Sequence, residues 1–338
     1  MVTNSQIAKA AGVSPAVVSR IVNGDKTLRV SEETRKRVLE LVEEMGYAPN
    51  AAARSLRSAK AGMIALVVHD VTNPVYAEII SGAQHAAAAH GKAVLLGEAS
   101  GETDGAKRIE ELIAGNGIDG LILQGAGTAM DKALARAAQR NVPTVLLQSG
   151  KARNATLLRL DDEAAGRLAT QHLINAGHRQ IGFLGADDSL QFAGFRRQGW
   201  RRAHSENDIL FDPAATELAA STFHDGAAAI VKLLDRKPNL TAVVAANVIT
   251  AIGALSKLLD LGFNVPRDFS IIGIQDAEIA SVFRPALTVV RMPLHALGET
   301  AVNLVCQGRS KSAEILLKDI DLSVVQRSTV APPPDADV

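Results

Sequence analysis

A chain of 338 residues, 47% of them apolar, is long enough to bury sizeable cores in two or three domains. No stretch approaches the ~18 uninterrupted apolar residues of a membrane span, and the polar opening lacks the basic-then-apolar order of an export signal, so a soluble cytoplasmic protein is the expectation. The net charge of zero hides an asymmetry: residues 1–60 carry ten Lys/Arg against six Asp/Glu, leaving 26 basic and 30 acidic residues for the remainder. A small basic head ahead of an acidic body is what a phosphate-binding module needs.

The head reads as three short helices. Thr3 and Gln6 have the spacing of a capping box, starting a helix that stops at Gly12. Ser14 caps the next, with Pro15 at the first helical position and Val17, Val18 and Ile21 on one face; Asn23-Gly24 closes it. A third starts at Ser31, places Val38, Leu41, Val42 and Met45 on one face, and stops at Gly46. Two helices joined by a Gly-containing turn and buttressed by a third form a helix-turn-helix. Pro49-Asn50 breaks this pattern, and residues 51–58 are too short for an isolated helix to be stable in water.

From Gly62 apolar runs alternate with amphipathic helices. Strands are expected at Met63–Val68, Ala93–Leu96, Gly120–Leu123, Thr144–Leu147, Ile181–Leu184, Ala242–Ala245 and Phe269–Ile274, with a helix over about 75–90. Continuously apolar strands imply parallel sheets covered on both faces. The expected fold is therefore an all-α helix-turn-helix head plus an α/β core of two parallel-sheet subdomains.

The enzyme reading is poorly supported. Gly125-Ala126-Gly127 lacks the third glycine of a dinucleotide fingerprint, and no Gly-Lys-Ser/Thr phosphate loop or Gly-x-Ser-x-Gly nucleophile turn occurs. Asp161-Asp162 and Asp187-Asp188 read as loop and helix-cap residues. The eight histidines have no metal-ligand spacing, and the lone Cys306 cannot form an intramolecular disulfide. No metal or cofactor is expected. A solute-binding protein would account for the core but not for the head.

The run Gly12-Val13-Ser14-Pro15-Ala16-Val17-Val18-Ser19-Arg20-Ile21-Val22-Asn23, with Tyr47-Ala48-Pro49-Asn50 and Ala53-Arg54-Ser55-Leu56, resembles the head of the LacI/GalR (lac repressor) family. Asn73-Pro74, Gly117-Ile118-Asp119-Gly120, Gly177-His178-Arg179, Arg196-Arg197-Gln198-Gly199-Trp200 and Pro285-Ala286-Leu287-Thr288 continue the likeness in the expected order. The resemblance implies a homodimeric transcription regulator, a repressor by default, binding a pseudo-palindromic DNA operator. Its core would resemble a periplasmic binding protein and hold a small effector between subdomains. The implied divisions are a helix-turn-helix domain at 1–48, a hinge helix at 49–60, a core at 61–330 and a disordered tail at 331–338. Within the core, the N-subdomain spans about 61–159 and 291–318, and the C-subdomain about 160–290 and 319–330. The absence of a C-terminal heptad pattern favours a dimer over a tetramer.

A recognition helix in the major groove places Pro15, Ala16 and Arg20 at base edges. The first two offer only apolar contact, whereas Arg20 is suited to bidentate pairing with guanine. The resemblance adds Thr3, Ser14, Ser19, Asn23, Tyr47, Asn50 and Ala53 to the DNA contacts and makes Leu56 a minor-groove wedge. For the effector it implies Arg196 and Asn247. Departures from the family pattern put Gln275, Met292 and Gln148 at the cleft, where amides replace the carboxylates that would accept sugar hydroxyls. Strand ends add His69, Asp70, Asn73, Tyr76 and Gln124. A polyol, a nucleoside or a sugar acid all remain open.

Overall fold

The computed structural model describes residues 2–25, 27–47, 60–98, 111–124, 142–148, 154–186, 190–308, 312–318, 320 and 322–334. The chain divides into two compact units, residues 1–61 and 62–338.

In the first unit α1 (Asn4–Ala11), α2 (Pro15–Val22) and α3 (Glu32–Glu44) enclose a core of Ile7, Ala8, Ala11, Val18, Ile21 and Val38. Each helix starts on a hydroxyl cap. Thr3 and Gln6 form the reciprocal capping box, Ser14 accepts from the Val17 N–H, and Ser31 accepts from the Thr34 N–H. The sharp turn between α1 and α2 uses Gly12 at φ 67°, a left-handed conformation that favours glycine.

Among its described residues the second unit holds two six-stranded sheets. The first contains β1 (Met63–Val68), β2 (Ala93–Glu98), β3 (Gly120–Leu123), β4 (Thr144–Leu147), β5 (Thr156–Leu160) and β11 (Ala313–Leu317), in the order β11-β5-β4-β3-β1-β2, with every pairing parallel. The second contains β6 (Ile181–Gly185), β7 (Thr216–Leu218), β8 (Ala242–Ala245), β9 (Ser270–Ile274), β10 (Thr288–Arg291) and β12 (Ser323–Val325), in the order β12-β10-β9-β8-β6-β7, with only β12 antiparallel. The order is the same in both: the second strand lies outside the first, and the rest run the other way. Each sheet therefore reverses direction at one point, between β1 and β3 and between β6 and β8. Crevices at such reversals, beyond the carboxyl ends of the strands, are where open α/β sheets bind ligands.

Most of the inner strands are apolar throughout because helices cover both faces. Among the described residues three helix pairs pack unusually close: α4 (Tyr76–Ala89) with α9 (Leu294–Cys306), α5 (Asp162–Asn175) with α6 (Gln191–Glu206), and α7 (Phe223–Arg236) with α8 (Val248–Asp260). Each pair is joined by reciprocal glycines, as at Gly166 and Gly199, where a Cβ would run into the carbonyls of Arg196 and Glu163.

Two expectations need correction. The first is that β5, β7, β10, β11 and β12 were not among the expected strands: Arg159 interrupts the apolar run of β5, β10 is a four-residue run between Thr288 and Arg291, and the others are three residues long or lie at a sheet edge. The second is that residues 331–334 are not a loose tail. The Ala331 carbonyl accepts hydrogen bonds from His178 Nε2 at 2.9 Å and Ser270 Oγ at 3.2 Å, and Pro333 lies over Gly177.

His178 is buried, its other ring nitrogen 2.8 Å from Thr241 Oγ1. Burial holds its pKa below the usual imidazole value of 6.5, and does the same for His172 and His204. A depressed folded-state pKa means that the unfolded chain takes up protons first on acidification. The stability these neutral rings confer is complete above pH 6.5 and declines as the pH falls through their folded values. The melting temperature of the core is therefore expected to fall from pH 7 to pH 5, and His178→Gln to flatten that slope. An unchanged slope in the variant would contradict the assignment.

Candidate functional site

Two surfaces carry the candidate residues, one in each unit. In the head, Val18 and Ile21 turn α2 inward, so that Pro15, Ala16, Arg20 and Asn23 stand exposed on its other side, with Ser19 half-buried beside them. Thr3 and Ser14 are exposed at the starts of α1 and α2, where their side chains serve as caps. Tyr47 is half-buried against the head core. Asn50, Ala53 and Leu56 lie outside the described residues.

Arg20 does not project freely. Its Nε donates to Asp25 Oδ2 at 2.7 Å and its Nη2 to Thr27 Oγ1 at 3.0 Å. The Thr27 hydroxyl and N–H both donate to Asp25 Oδ1, at 2.7 and 2.8 Å. These donors hold the Asp25 carboxyl at a pKa of about 2, so it is ionised at any pH where the protein works.

In the core, residues following β1 (His69, Asp70), β3 (Gln124), β4 (Gln148), β8 (Asn247) and β9 (Gln275) meet at the two sheet reversals around a cavity of about 210 Å³. Asn73, Tyr76 and Arg196 add to its polar wall. Gln148 and Gln275 occupy corresponding places in the two sheets and share a left-handed backbone, φ 65° and 74°. Each N–H is pinned to a neighbouring strand, at the carbonyls of Leu158 and Val290. Non-glycine residues held in this region cost of order 1–3 kcal/mol and cluster at ligand sites.

Several of the polar groups are already engaged with one another. Arg196, fully buried, donates from Nε and Nη2 to Asp162 Oδ1 at 2.9 Å and from Nη1 to the Ala246 carbonyl, while Phe192 lies 5.1 Å from its guanidinium carbon. Gln148 bridges Asp162 Oδ2 and the Leu160 N–H. Asn247 caps α8 through the Thr250 N–H and donates to Ser221 Oγ. The unspent capacity lies elsewhere: Gln124 Oε1 is buried without a partner among the described residues, and the half-buried Gln275 lines the cavity with its amide not engaged by any of them. The Asp70 carboxyl is pulled below its usual range by the Thr72 hydroxyl and N–H. Burial raises the Tyr76 hydroxyl to about 12, so it stays protonated beside Gln124.

Nine of the ten expected cleft residues thus line one cavity. Met292 does not: it is buried behind Arg196, its Sδ 3.5 Å from Nη2. Asp162 was read as a loop or cap residue. Asp161 is the cap, accepting from the Ala164 N–H, and Asp162 is the buried counter-ion of Arg196. Phe192, Leu190, Ser221 and Thr222 were missed as lining residues. Phe192 was within reach of the sequence, since it precedes Arg196 by four positions on one helix face. Asp276 turns away into ion pairs with Arg291 and Arg327, leaving Gln275 to face the cavity.

A helix-turn-helix with an exposed polar face, followed by a core whose two sheets bring their reversal points to one polar cavity, defines the class of DNA-binding regulators with a small-molecule-binding core. Profiles of known families agree: residues 5–50 match "Bacterial regulatory proteins, lacI family", and residues 61–323 match "Periplasmic binding proteins and sugar binding domain of LacI family". The chain belongs to the LacI family and is a transcriptional regulator rather than an enzyme. It is 32% identical to the HTH-type transcriptional repressor CytR of Escherichia coli K12, over 98% of this chain and 97% of that one. It is 31% identical to the HTH-type transcriptional repressor PurR of Aliivibrio fischeri MJ11, over 98% of each. Among solved structures, the lac repressor dimer bound to operator and the anti-inducer ONPF superposes with a TM-score of 0.79 at 27% identity, over 98% of this chain and 99% of that one.

Proposed function

We propose that this regulator works as a cytoplasmic homodimeric repressor whose grip on an inverted-repeat operator is set by a neutral, nucleoside-like ligand in the core cavity. Each α2 enters a major groove with Pro15, Ala16 and Arg20 at base edges, while Thr3, Ser14, Ser19, Asn23 and Tyr47 meet the backbone. Residues 49–60 act as the hinge, with Asn50 and Ala53 at the minor groove and Leu56 as the wedge. Cleft closure moves the two hinges, so ligand and operator alter each other's affinity by one common factor.

The charge balance of the cavity carries the choice of ligand. Arg196 is the one arginine or lysine among the described lining residues, and Asp162 neutralises it, while Asp70 remains an anion. An acidic ligand would meet the Asp70 anion with no unpaired arginine or lysine among the described lining residues to offset it, which disfavours a sugar acid. The rings of Tyr76 and Phe192 offer apolar faces, and Gln124 and Gln275 offer amides with capacity left over. A planar base bearing both donors and acceptors, with ribose hydroxyls, uses all of these; a polyol leaves the rings idle.

Titration calorimetry with adenosine, guanosine, cytidine, uridine, ribitol and gluconate tests the ligand class. At least one nucleoside is expected to bind at least tenfold more tightly than gluconate, and Gln124→Leu to weaken that nucleoside by about 1–3 kcal/mol. Gluconate binding more tightly than every nucleoside would overturn it.

A further inference from the structure

We infer that Asp25 is a specificity-determining residue that acts through Arg20: the Asp25–Thr27 bracket sets which edge of the guanidinium faces DNA. Asp25 takes the Nε–H, and Thr27 takes one Nη2–H. Of the five donors of an arginine, those left over are both hydrogens of Nη1 and the second of Nη2. That end of the group is the two-pronged fork that matches guanine O6 and N7. The bracketed side edge, the other face able to make a paired contact, is spent.

The bracket is built into the fold rather than assembled from wandering side chains. The Asp25 N–H donates to the Arg20 carbonyl at 3.0 Å, closing the end of α2, and Arg35 on α3 reaches back to the Asp25 carbonyl at 3.4 Å. Thr27 is fixed to Asp25 by both its hydroxyl and its N–H, so its oxygen has a lone pair directed at Arg20. The Arg20 and Asp25 side chains are 47% and 30% exposed, and an ion pair that open contributes little to stability. Its consequence lies in orientation: a long side chain that would otherwise sample many rotamers is presented in one. A carboxylate near the DNA backbone also repels phosphate, so Asp25 trades overall affinity for discrimination.

Asp25 matters in this way only if Arg20 reads a base, as proposed above, and one experiment separates the two. Wild type, Arg20→Ala, Asp25→Ala and Asp25→Glu are used to select from a library of randomised duplexes, and each selected motif is compared position by position. Binding to the wild-type consensus and to a scrambled duplex is then titrated, with melting curves as the control for folding. Arg20→Ala is expected to lose the preference for guanine at one position of each half-site. Asp25→Ala is expected to lose the same preference, lowering the ratio of consensus to scrambled affinity about tenfold while scrambled affinity rises. Asp25→Glu, which keeps the acceptor, recovers part of the ratio, and in an Arg20→Ala background the Asp25 change leaves the ratio unaltered. A motif from Asp25→Ala that keeps its guanine, while Arg20→Ala loses it, overturns the role of Asp25; so does a gain in discrimination, which would make the bracket a restraint that DNA must break. If Arg20→Ala keeps the guanine, the reading of Arg20 itself has failed.

Discussion

Replacing Asp162 with alanine is expected to destabilise the core by about 3–5 kcal/mol, the largest loss from any single substitution considered. The reason is not that the ion pair with Arg196 is itself strongly stabilising. Two charges removed from water lose hydration that their mutual attraction only partly restores. Both side chains are almost wholly inaccessible, and Asp162 accepts from Arg196 Nε and Nη2 and from Gln148. Truncation therefore strands a guanidinium in the interior, deprives Gln148 of its acceptor, and leaves a cavity. Chemical denaturation of the purified protein, followed by fluorescence of the buried Trp200, measures the loss. A change below about 1 kcal/mol would show that the pair is not buried in solution. Asp162→Asn separates charge from packing, because it keeps the shape while uncovering the positive charge. In that variant Arg196 becomes an uncompensated cation at the cavity wall, and gluconate is expected to bind more tightly than it does to the wild type.

Arg20→Ala has the largest expected effect on function: a loss of about 1–3 kcal/mol on the cognate half-site and a smaller one on random duplex. Arginine can serve as a phosphate clamp or as a base reader. A clamp loses the same amount on every sequence and lowers the salt dependence, whereas a reader loses mainly on the operator. Its position fits the second role: Arg20 stands on the exposed side of α2, about one and a half turns from the helix N-terminus, and the Asp25–Thr27 pair engages its Nε and Nη2 but not its Nη1. Equal losses on operator and scrambled duplex would reduce it to a clamp.

Much of this was legible in the chain. The three head helices follow from Thr3, Ser14 and Ser31 as caps and from Gly12 and Gly46 as stops, because capping is local chemistry and needs no tertiary context. Six inner strands, β1, β3, β4, β6, β8 and β9, were equally plain as continuous apolar runs, whereas β5 and β10, each carrying an arginine, were not. What escaped was set by contacts distant in sequence. Asp162 sits in a helix's first turn, where any acid is favourable, and nothing local reveals that Arg196, 34 positions later, is packed against it by Gly166 and Gly199. Arg20 showed its reach from sequence but not its bracket. The cavity residues were found because strand ends meet at sheet reversals; which of them had capacity to spare required the hydrogen bonds. Gln148 and Asn247 are residues of the right chemistry, already committed to holding Asp162 and starting α8.

The central claim is that this chain reads one DNA sequence and that a ligand in its core changes the grip. Affinity selection of genomic fragments by the full-length protein, at one stated salt concentration and both with and without the four nucleosides, tests it most directly. A single inverted-repeat motif, with half-sites about one helical turn apart and with recovery that shifts when nucleoside is added, is the predicted result. Fragments retained in proportion to their abundance under both conditions would contradict it.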